Sequence, residues 1–312
     1  KGKHMVLSAS MVKELREKSG AGMMDCKKAL IETDGKIEEA IDWLRKQGLS
    51  AVEKKSGRVA AEGLIGVTVN INQGALIEIN SETDFVARNE LFQDFVKTCS
   101  YLSLSSKEDI ETLKQTQYPN TGRTVDQELS NNIATIGENM NIRRLEILEV
   151  SNGTVISYIH NSVADGLGKL GVLVALESDA DIESLSNVGK QIAMHIAATS
   201  PKSLNIEDLD EDLVNRERQV LIDQAVASGK PKEIAEKMVA GRMQKYFQEV
   251  VLNEQISVVD GETKIKDVIK KLENDLNTKV NITGFKKLKL GEGIEVAEND
   301  FAAEVAATAG IK

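Results

Sequence analysis

Apolar positions in the first fifty residues recur three and four apart, the period of a helix that buries one face. Met11 and Leu15 share such a face, with Ser8 or Ser10 placed to cap an orphaned amide in the opening turn. Gly20 reads as a left-handed stop, 23–33 as a second helix opened after Gly22, and Asp34-Gly35 as a turn. A third helix carries Ile37, Ala40, Ile41 and Leu44 and ends at Gly48. So few residues enclose only a small core, which makes this three-helix unit a docking module rather than a free-standing domain. Lys54-Lys55-Ser56-Gly57-Arg58 has the composition of a flexible linker.

From Leu64 the period changes to two. Ile65, Val67, Val69 and Ile71 alternate with small or polar residues, Asn72-Gln73-Gly74 turns, and Leu76 to Asn80 answers, which is a hairpin. A helix is predicted over 83–99, capped by Ser81 or Thr83, with Phe85, Leu91, Phe92, Phe95 and Val96 available for burial. More helix is expected between Lys107 and Gly137, broken at Tyr118-Pro119-Asn120-Thr121-Gly122, and a strand over 142–150 closes a small sheet. A similar layout then comes again: strands at 155–159 and 171–176, a helix over 181–198 ended by Ser200-Pro201, and a last strand near 285–290. Between them, 206–252 reads as helix interrupted at Ser228-Gly229-Lys230-Pro231, with glycine as stop and proline in the next first turn. Leu213, Val220 and Ile222 are expected to face Ile234, Met238 and Phe247 in an antiparallel coiled-coil hairpin inserted into the second unit.

Composition narrows the function. The 312 residues hold 49 acidic against 39 basic side chains, a net charge of −10, which argues against a surface built to wrap nucleic acid. One Trp, four Tyr and six Phe leave few platforms for stacking bases. Cys26 and Cys99 form no CxxC, so neither a disulfide scaffold nor a zinc ribbon is indicated, and reduced thiols in a cytoplasmic protein are expected. The longest wholly apolar stretch, near Val172, falls far short of the ~20 residues that a membrane helix needs, and no secretory signal is expected. Lys1-Gly2-Lys3-His4 before Met5 reads as an expression scar.

Candidate chemistry is thin. Gly166-Leu167-Gly168-Lys169-Leu170-Gly171 matches the GxGxxG string, but its last glycine opens an apolar strand instead of a helix; a flexible loop is the reading taken. No P-loop and no GxSxG occur, and the ligand count is too low for a metal site. Catalytic residues, cofactors and metals are therefore all expected to be none. Ser81-Glu82-Thr83-Asp84-Phe85-Val86-Ala87-Arg88-Asn89 is harder to dismiss, because it follows a strand where a helix starts. Phe85 is either a core anchor or a rigid wedge offered to a partner, and pattern alone favours the core.

Val12-Lys13-Glu14-Leu15-Arg16 followed by Gly20-Ala21-Gly22-Met23-Met24-Asp25-Cys26-Lys27-Lys28-Ala29-Leu30 resembles the opening of bacterial elongation factor Ts. So do Thr83-Asp84-Phe85-Val86-Ala87, Asn141-Ile142-Arg143-Arg144, Gly171-Val172-Leu173-Val174, Ala193-Met194-His195, and Ser228-Gly229-Lys230-Pro231 with Glu236-Lys237-Met238-Val239. Gly291-Glu292-Gly293-Ile294-Glu295 and Asp300-Phe301-Ala302-Ala303-Glu304-Val305-Ala306 close a series that runs in order over nearly the whole chain. The stretch 161–169 looks longer than in the shortest members and has no role assigned.

The resemblance implies an α+β fold: a UBA-like three-helix module with linker at 5–55, core subdomains with antiparallel sheets at 56–150 and 151–290, the hairpin insertion at about 206–252, and a C-terminal helical module at 291–312. It implies a guanine-nucleotide exchange factor for elongation factor Tu that binds the GDP-bound GTPase, displaces magnesium and promotes GDP release. Thr83, Asp84, Phe85 and Val86 would be the segment intruding beside the partner's magnesium site. Arg16, Met23 and Met24 would meet a helix of the GTPase domain, supported by Val258 and Val259, while Leu170, Gly171 and His195 fall where members touch other regions. GDP, GTP and magnesium would belong to the partner, and no direct nucleic-acid or membrane contact is implied; a dimer of heterodimers is compatible with the resemblance. The rival readings are a non-catalytic UBA-like adaptor and, on the 166–171 glycines, a dinucleotide-dependent enzyme.

Overall fold

The computed structural model describes residues 8–19, 21–229 and 231–295. Three helices, α1 (Ala9–Ser19), α2 (Met23–Glu32) and α3 (Ile37–Lys55), close around Leu15, Cys26, Ala29, Leu30 and Ala40. Ser8 caps α1 by accepting the Met11 amide at 3.2 Å. The stop expected at Gly20 lies outside the described residues. The end expected at Gly48 does not occur, since α3 continues to Lys55. Its second half docks on α6 (Val125–Ile136), where Val52 packs against the first core and the Lys55 ammonium reaches the Ile133 carbonyl at 3.3 Å. Tertiary packing thus outweighs the ~1 kcal/mol that a mid-helix glycine costs. Residues 54–58 are accordingly no free linker: the Ser56 hydroxyl donates to the Glu53 carbonyl, and the Arg58 carbonyl is held by Asn139.

Two antiparallel sheets form the centre. The first runs β3 (Met140–Glu149), β2 (Gln73–Ser81), β1 (Glu62–Val69), β5 (Leu167–Gly168); the second runs β4 (Gly153–His160), β6 (Leu170–Ser178), β7 (Val280–Lys289). Leu64, Ile77 and Ile79 face α4 (Glu90–Ser103), α5 (Ile110–Gln115) and α6 on one side. Ile65, Val67 and Leu76 face Val155, Leu173 and Ala175 of the second sheet on the other. The far side of the second sheet is covered by α7 (Ile182–Thr199) and α10 (Ile265–Leu276) around Val172, Val174, Ile192, Ile196 and Ile269. The order of layers is helix, sheet, sheet, helix, so the inner strands β1, β2 and β6 alternate between two buried environments rather than between core and water.

The second sheet repeats the first in detail. In each, the register slips once on the central strand, between Glu78 and Ile79 and between Ala175 and Leu176. One pair beyond each slip, on the other neighbouring strand, stands a glycine with positive φ, Gly63 at 122° opposite Asn80 and Gly153 at 137° opposite Glu177, whose added Cβ would lie 2.2 and 2.0 Å from the Ile79 and Leu176 carbonyl oxygens. Only glycine fits so close an approach. Residues 166–171, read from sequence as a flexible loop, are instead ordered against the sheets: Leu167 is buried, β5 pairs Ile65 with Gly168 on the edge of the first sheet, and Leu170 and Gly171 open β6.

α8 (Glu211–Ala227) and α9 (Lys232–Val250) pack against each other. The apolar face differs from the predicted one. Leu221, Ala225 and Met243 are buried, whereas Leu213, Val220, Ile222 and Ile234 remain exposed. Ile222 sits one position and about 100° round the helix from Leu221, and the small Ala225 lets the two helices approach. The C-terminal helical module expected at 291–312 falls, beyond residue 295, outside the described residues, as do residues 1–4, expected to be a scar.

Candidate functional site

The segment 83–86 is not the first turn of a helix. Asn89, in extended backbone, accepts the Leu91 and Phe92 amides at 2.9 and 3.3 Å and starts α4 at Glu90. Such a cap contributes about 1 kcal/mol. The capping roles predicted for Ser81 and Thr83 are replaced by loop contacts: the Ser81 hydroxyl donates to the Thr83 carbonyl at 3.0 Å. Thr83 donates its backbone N–H to Glu138 Oε2 at 2.9 Å and its hydroxyl to Glu138 Oε1 at 2.6 Å. Reciprocally, the Asn139 N–H donates to Glu82 Oε1 at 2.6 Å, while Arg58 pairs with Glu82 at 3.4 Å.

On this base Asp84 and Phe85 project into solvent, and Phe85 is 77% exposed. The burial that pattern favoured for Phe85 is therefore overturned; Val86 and Ala87 enter the core instead. Phe92 and Phe95, also aromatic and close in sequence, are fully enclosed. An exposed phenyl ring on a loop fixed at both ends costs little to order when another surface meets it.

The remaining expected contact residues divide by exposure. Arg16, Met23 and Met24 lie open on α1 and α2, with the two methionines 61% and 73% exposed. Val258 and Val259 are exposed on a tight loop in which the Val259 amide donates to the Ser257 hydroxyl and Asp260 caps Glu262 and Thr263. Those caps, chiefly the Thr263 hydrogen bond, hold the Asp260 carboxyl down at about 2. Leu170 and Gly171 are buried on β6. A Cβ on Gly171 would come within 2.9 Å of Ile65 and Leu76, so this glycine serves the approach of the two sheets.

His195 is wholly buried on α7. Its Nδ1 accepts the Val258 backbone N–H at 3.2 Å, so the neutral ring carries its proton on Nε2 and donates it to Gln255 Oε1 at 2.8 Å. The imidazole thus reaches the surface only through the loop that it holds. Burial lowers its pKa from the usual value, against a smaller opposite pull from Gln255. The unfolded chain, at about 6.5, takes up the proton first as pH falls, so stability present above that value is lost below it. Shifting from about pH 7.5 to about pH 5.5 should lower the thermal midpoint more in the natural chain than in His195→Gln; equal drops would clear His195 of the effect.

Among the described residues no group of three or more His, Cys, Asp or Glu is placed to hold a metal, and no helix is long and apolar enough to cross a membrane. Cys26 and Cys99 are free thiols buried in separate cores, and burial pushes the Cys99 thiol up. The residues that sequence reasoning missed are the supports: Glu138, Glu82 and Asn139 below the loop, and Gln255 behind Val258. Asn89 before an apolar period was a legible cap; the others are joined only by the fold.

A family model described as elongation factor TS matches residues 82–292. Among similar curated proteins, an elongation factor Ts of Rhodospirillum centenum is 59% identical over 304 residues, covering 97% of this chain and 99% of the relative. Those of Rhodospirillum rubrum (56%, covering 96% of this chain and 98% of the relative) and Agrobacterium fabrum (52%, covering 97% and 98%) match at similar length.

Proposed function

The chain belongs to the elongation factor Ts family and is a guanine-nucleotide exchange factor for elongation factor Tu in translation elongation; from that premise we propose that the loop 83–86 is the part that acts on the partner's nucleotide site. The observation that carries this reading is Phe85, an exposed aromatic on a loop clamped at both ends. Phe85 wedges between helices of the partner's switch region, Asp84 supplies polar contacts, and magnesium loses its place. Since magnesium bridges the bound nucleotide and the P-loop hydroxyl, its displacement removes a main phosphate anchor. Val86, buried in this chain, serves by seating the loop, and Thr83 by tying it to Glu138.

A second contact runs through Arg16, Met23 and Met24, on a module that is UBA-like, and a third through Val258 and Val259. His195 supports the third from below, and Leu170 with Gly171 sets the sheet packing beneath it. The α8–α9 pair works as a coiled-coil hairpin, residues 291–312 as a C-terminal helical module, and a dimer of heterodimers is the assembly proposed. The site of action is the cytoplasm, without membrane or direct nucleic-acid contact, in line with the −10 net charge.

No acid, base or nucleophile is required, and no cofactor, because GDP, GTP and magnesium are the partner's. Coupling does the work: a chain that weakens GDP binding by some ratio is weakened by GDP to the same ratio. Each ~1.4 kcal/mol of coupling is tenfold. The test is release of labelled GDP from elongation factor Tu as this chain is titrated in. Release that accelerates to a plateau supports exchange; a stable complex on gel filtration with unaltered release overturns it in favour of an adaptor.

A further inference from the structure

We propose that Glu138 is a positioning residue for nucleotide exchange, a carboxylate clamp that pre-sets the Phe85 loop without touching the partner's nucleotide; the inference rests on the exchange reading and assigns that loop its support. Glu138 is 55 positions from Thr83 in sequence, yet both of its carboxylate oxygens are spent on that one residue, on the backbone N–H and on the hydroxyl. Charge-assisted bonds of this kind are about twice as strong as neutral ones. Beyond Thr83 the next holds are the Phe85 carbonyl, which accepts the Arg88 N–H at 3.1 Å, the entry of Val86 into the core, and the Ala87 carbonyl, which accepts Gln93 Nε2 at 2.9 Å. The two exposed residues between these anchors are the proposed wedge and its polar neighbour. Remove the forward anchor and Phe85 hangs from one end.

The clamp has a second, crossed half. Asn139, next to Glu138, donates its N–H to Glu82 and its Nδ2 to the Arg58 carbonyl at 2.7 Å, and Arg58 closes on Glu82. Thus residues 82 and 83 exchange bonds with 138 and 139, and the segment leaving α3 is stitched to the same corner. The loop is fixed relative to both the sheet and the chain that leads from the N-terminal module.

The thermodynamic consequence separates Glu138 from Phe85. A loop that visits the competent pose only a fraction of the time binds with an affinity reduced by that fraction, but once bound it works normally. Glu138→Ala should therefore raise the concentration giving half-maximal GDP release about tenfold and leave the plateau rate in place, whereas Phe85→Ala should lower the plateau. Glu138→Gln, whose amide can accept from the N–H and donate to the hydroxyl oxygen, should recover most of the loss. Amide hydrogen exchange at residues 83–85 of the isolated chain should speed up in Glu138→Ala, with the thermal midpoint and the exchange of β1 and β2 unchanged.

An unshifted titration curve in Glu138→Ala overturns the proposal. So does a lowered thermal midpoint with Glu138→Gln equally impaired, because that is a general loss of fold. If the natural chain fails to accelerate release at all, the exchange reading has failed, and hydrogen exchange at 83–85 still decides whether Glu138 sets the loop.

Discussion

Phe85→Ala is expected to cut the plateau rate of GDP release by about 30-fold or more, since a central interface aromatic is worth ~2 kcal/mol or more on truncation. The same change should shift stability by no more than about 0.5 kcal/mol, the usual range for a surface side chain. Phe85 is 77% exposed and loses little packing within this chain on truncation. Seven positions on, Phe92 is its internal control. That ring is wholly buried between α4 and the first sheet, and Phe92→Ala should cost ~3–5 kcal/mol. Stopped-flow release of labelled GDP read beside thermal unfolding distinguishes the two phenylalanines, one acting on the partner and the other on the fold. Unchanged acceleration by Phe85→Ala would take the wedge out of the mechanism.

Glu78→Ala is expected to produce the largest stability loss of any single charge removal, about 3 kcal/mol, the range seen when one partner of a buried ion pair is deleted. Glu78 is wholly buried on β2 and is bonded to Arg143 at 3.0 Å and to Arg144, both on β3. Its Oε1 also accepts the Gly291 N–H at 2.8 Å. The two arginines then hold the Glu292 and Lys289 carbonyls, each at 2.6 Å. One carboxylate therefore organises the place where the chain leaves the second sheet and crosses to the first. Loss of Glu78 leaves two largely buried guanidinium groups without their carboxylate and frees residues 289–294 from the first sheet. A reduced denaturation midpoint with faster amide exchange over 289–294 is the expected result; a midpoint equal to that of the natural chain would mean the network is ornamental.

What was legible in the chain, and what was not, follows the range of each interaction. The β1–β2 hairpin is local: alternation on either side of a short polar stretch specifies both strands, but the turn falls at 70–72 rather than at Asn72-Gln73-Gly74, because Asn70 Oδ1 accepts the Gln73 N–H, Val69 pairs with Gly74 and Gln73 already belongs to β2. The repeat of that layout at β4–β6 is visible for the same reason. The face assignment is not, because Ile65 and Leu64 are both enclosed by elements far away in sequence. Phe85 misleads because it falls seven residues before Phe92, on the same helical face, so periodicity continues the helix backward through 83–88. What interrupts it is one local signal, the Asn89 cap, and one distant one, Glu138. Gly48 misleads in the opposite sense: its local preference is to end a helix, and packing of α3 on α6 carries the helix through it. The amphipathic period of Ile265, Ile269, Leu272 and Leu276 in α10 was available in the sequence but diluted by the lysines and acids around it. His195 on α7 gives no sign of being buried, since its partners Gln255 and Val258 lie some sixty positions on.

Magnesium dependence is the most direct measure of the central claim, that an aromatic from this chain loosens nucleotide by unseating the partner's metal. GDP release from elongation factor Tu should be followed with saturating natural chain, in millimolar magnesium and again with chelator. With the metal already withdrawn the anchor that we propose Phe85 disturbs is gone, so the acceleration produced by this chain should shrink by about tenfold or more, and the Phe85→Ala defect should shrink with it. An acceleration of the same size with and without magnesium would contradict the account.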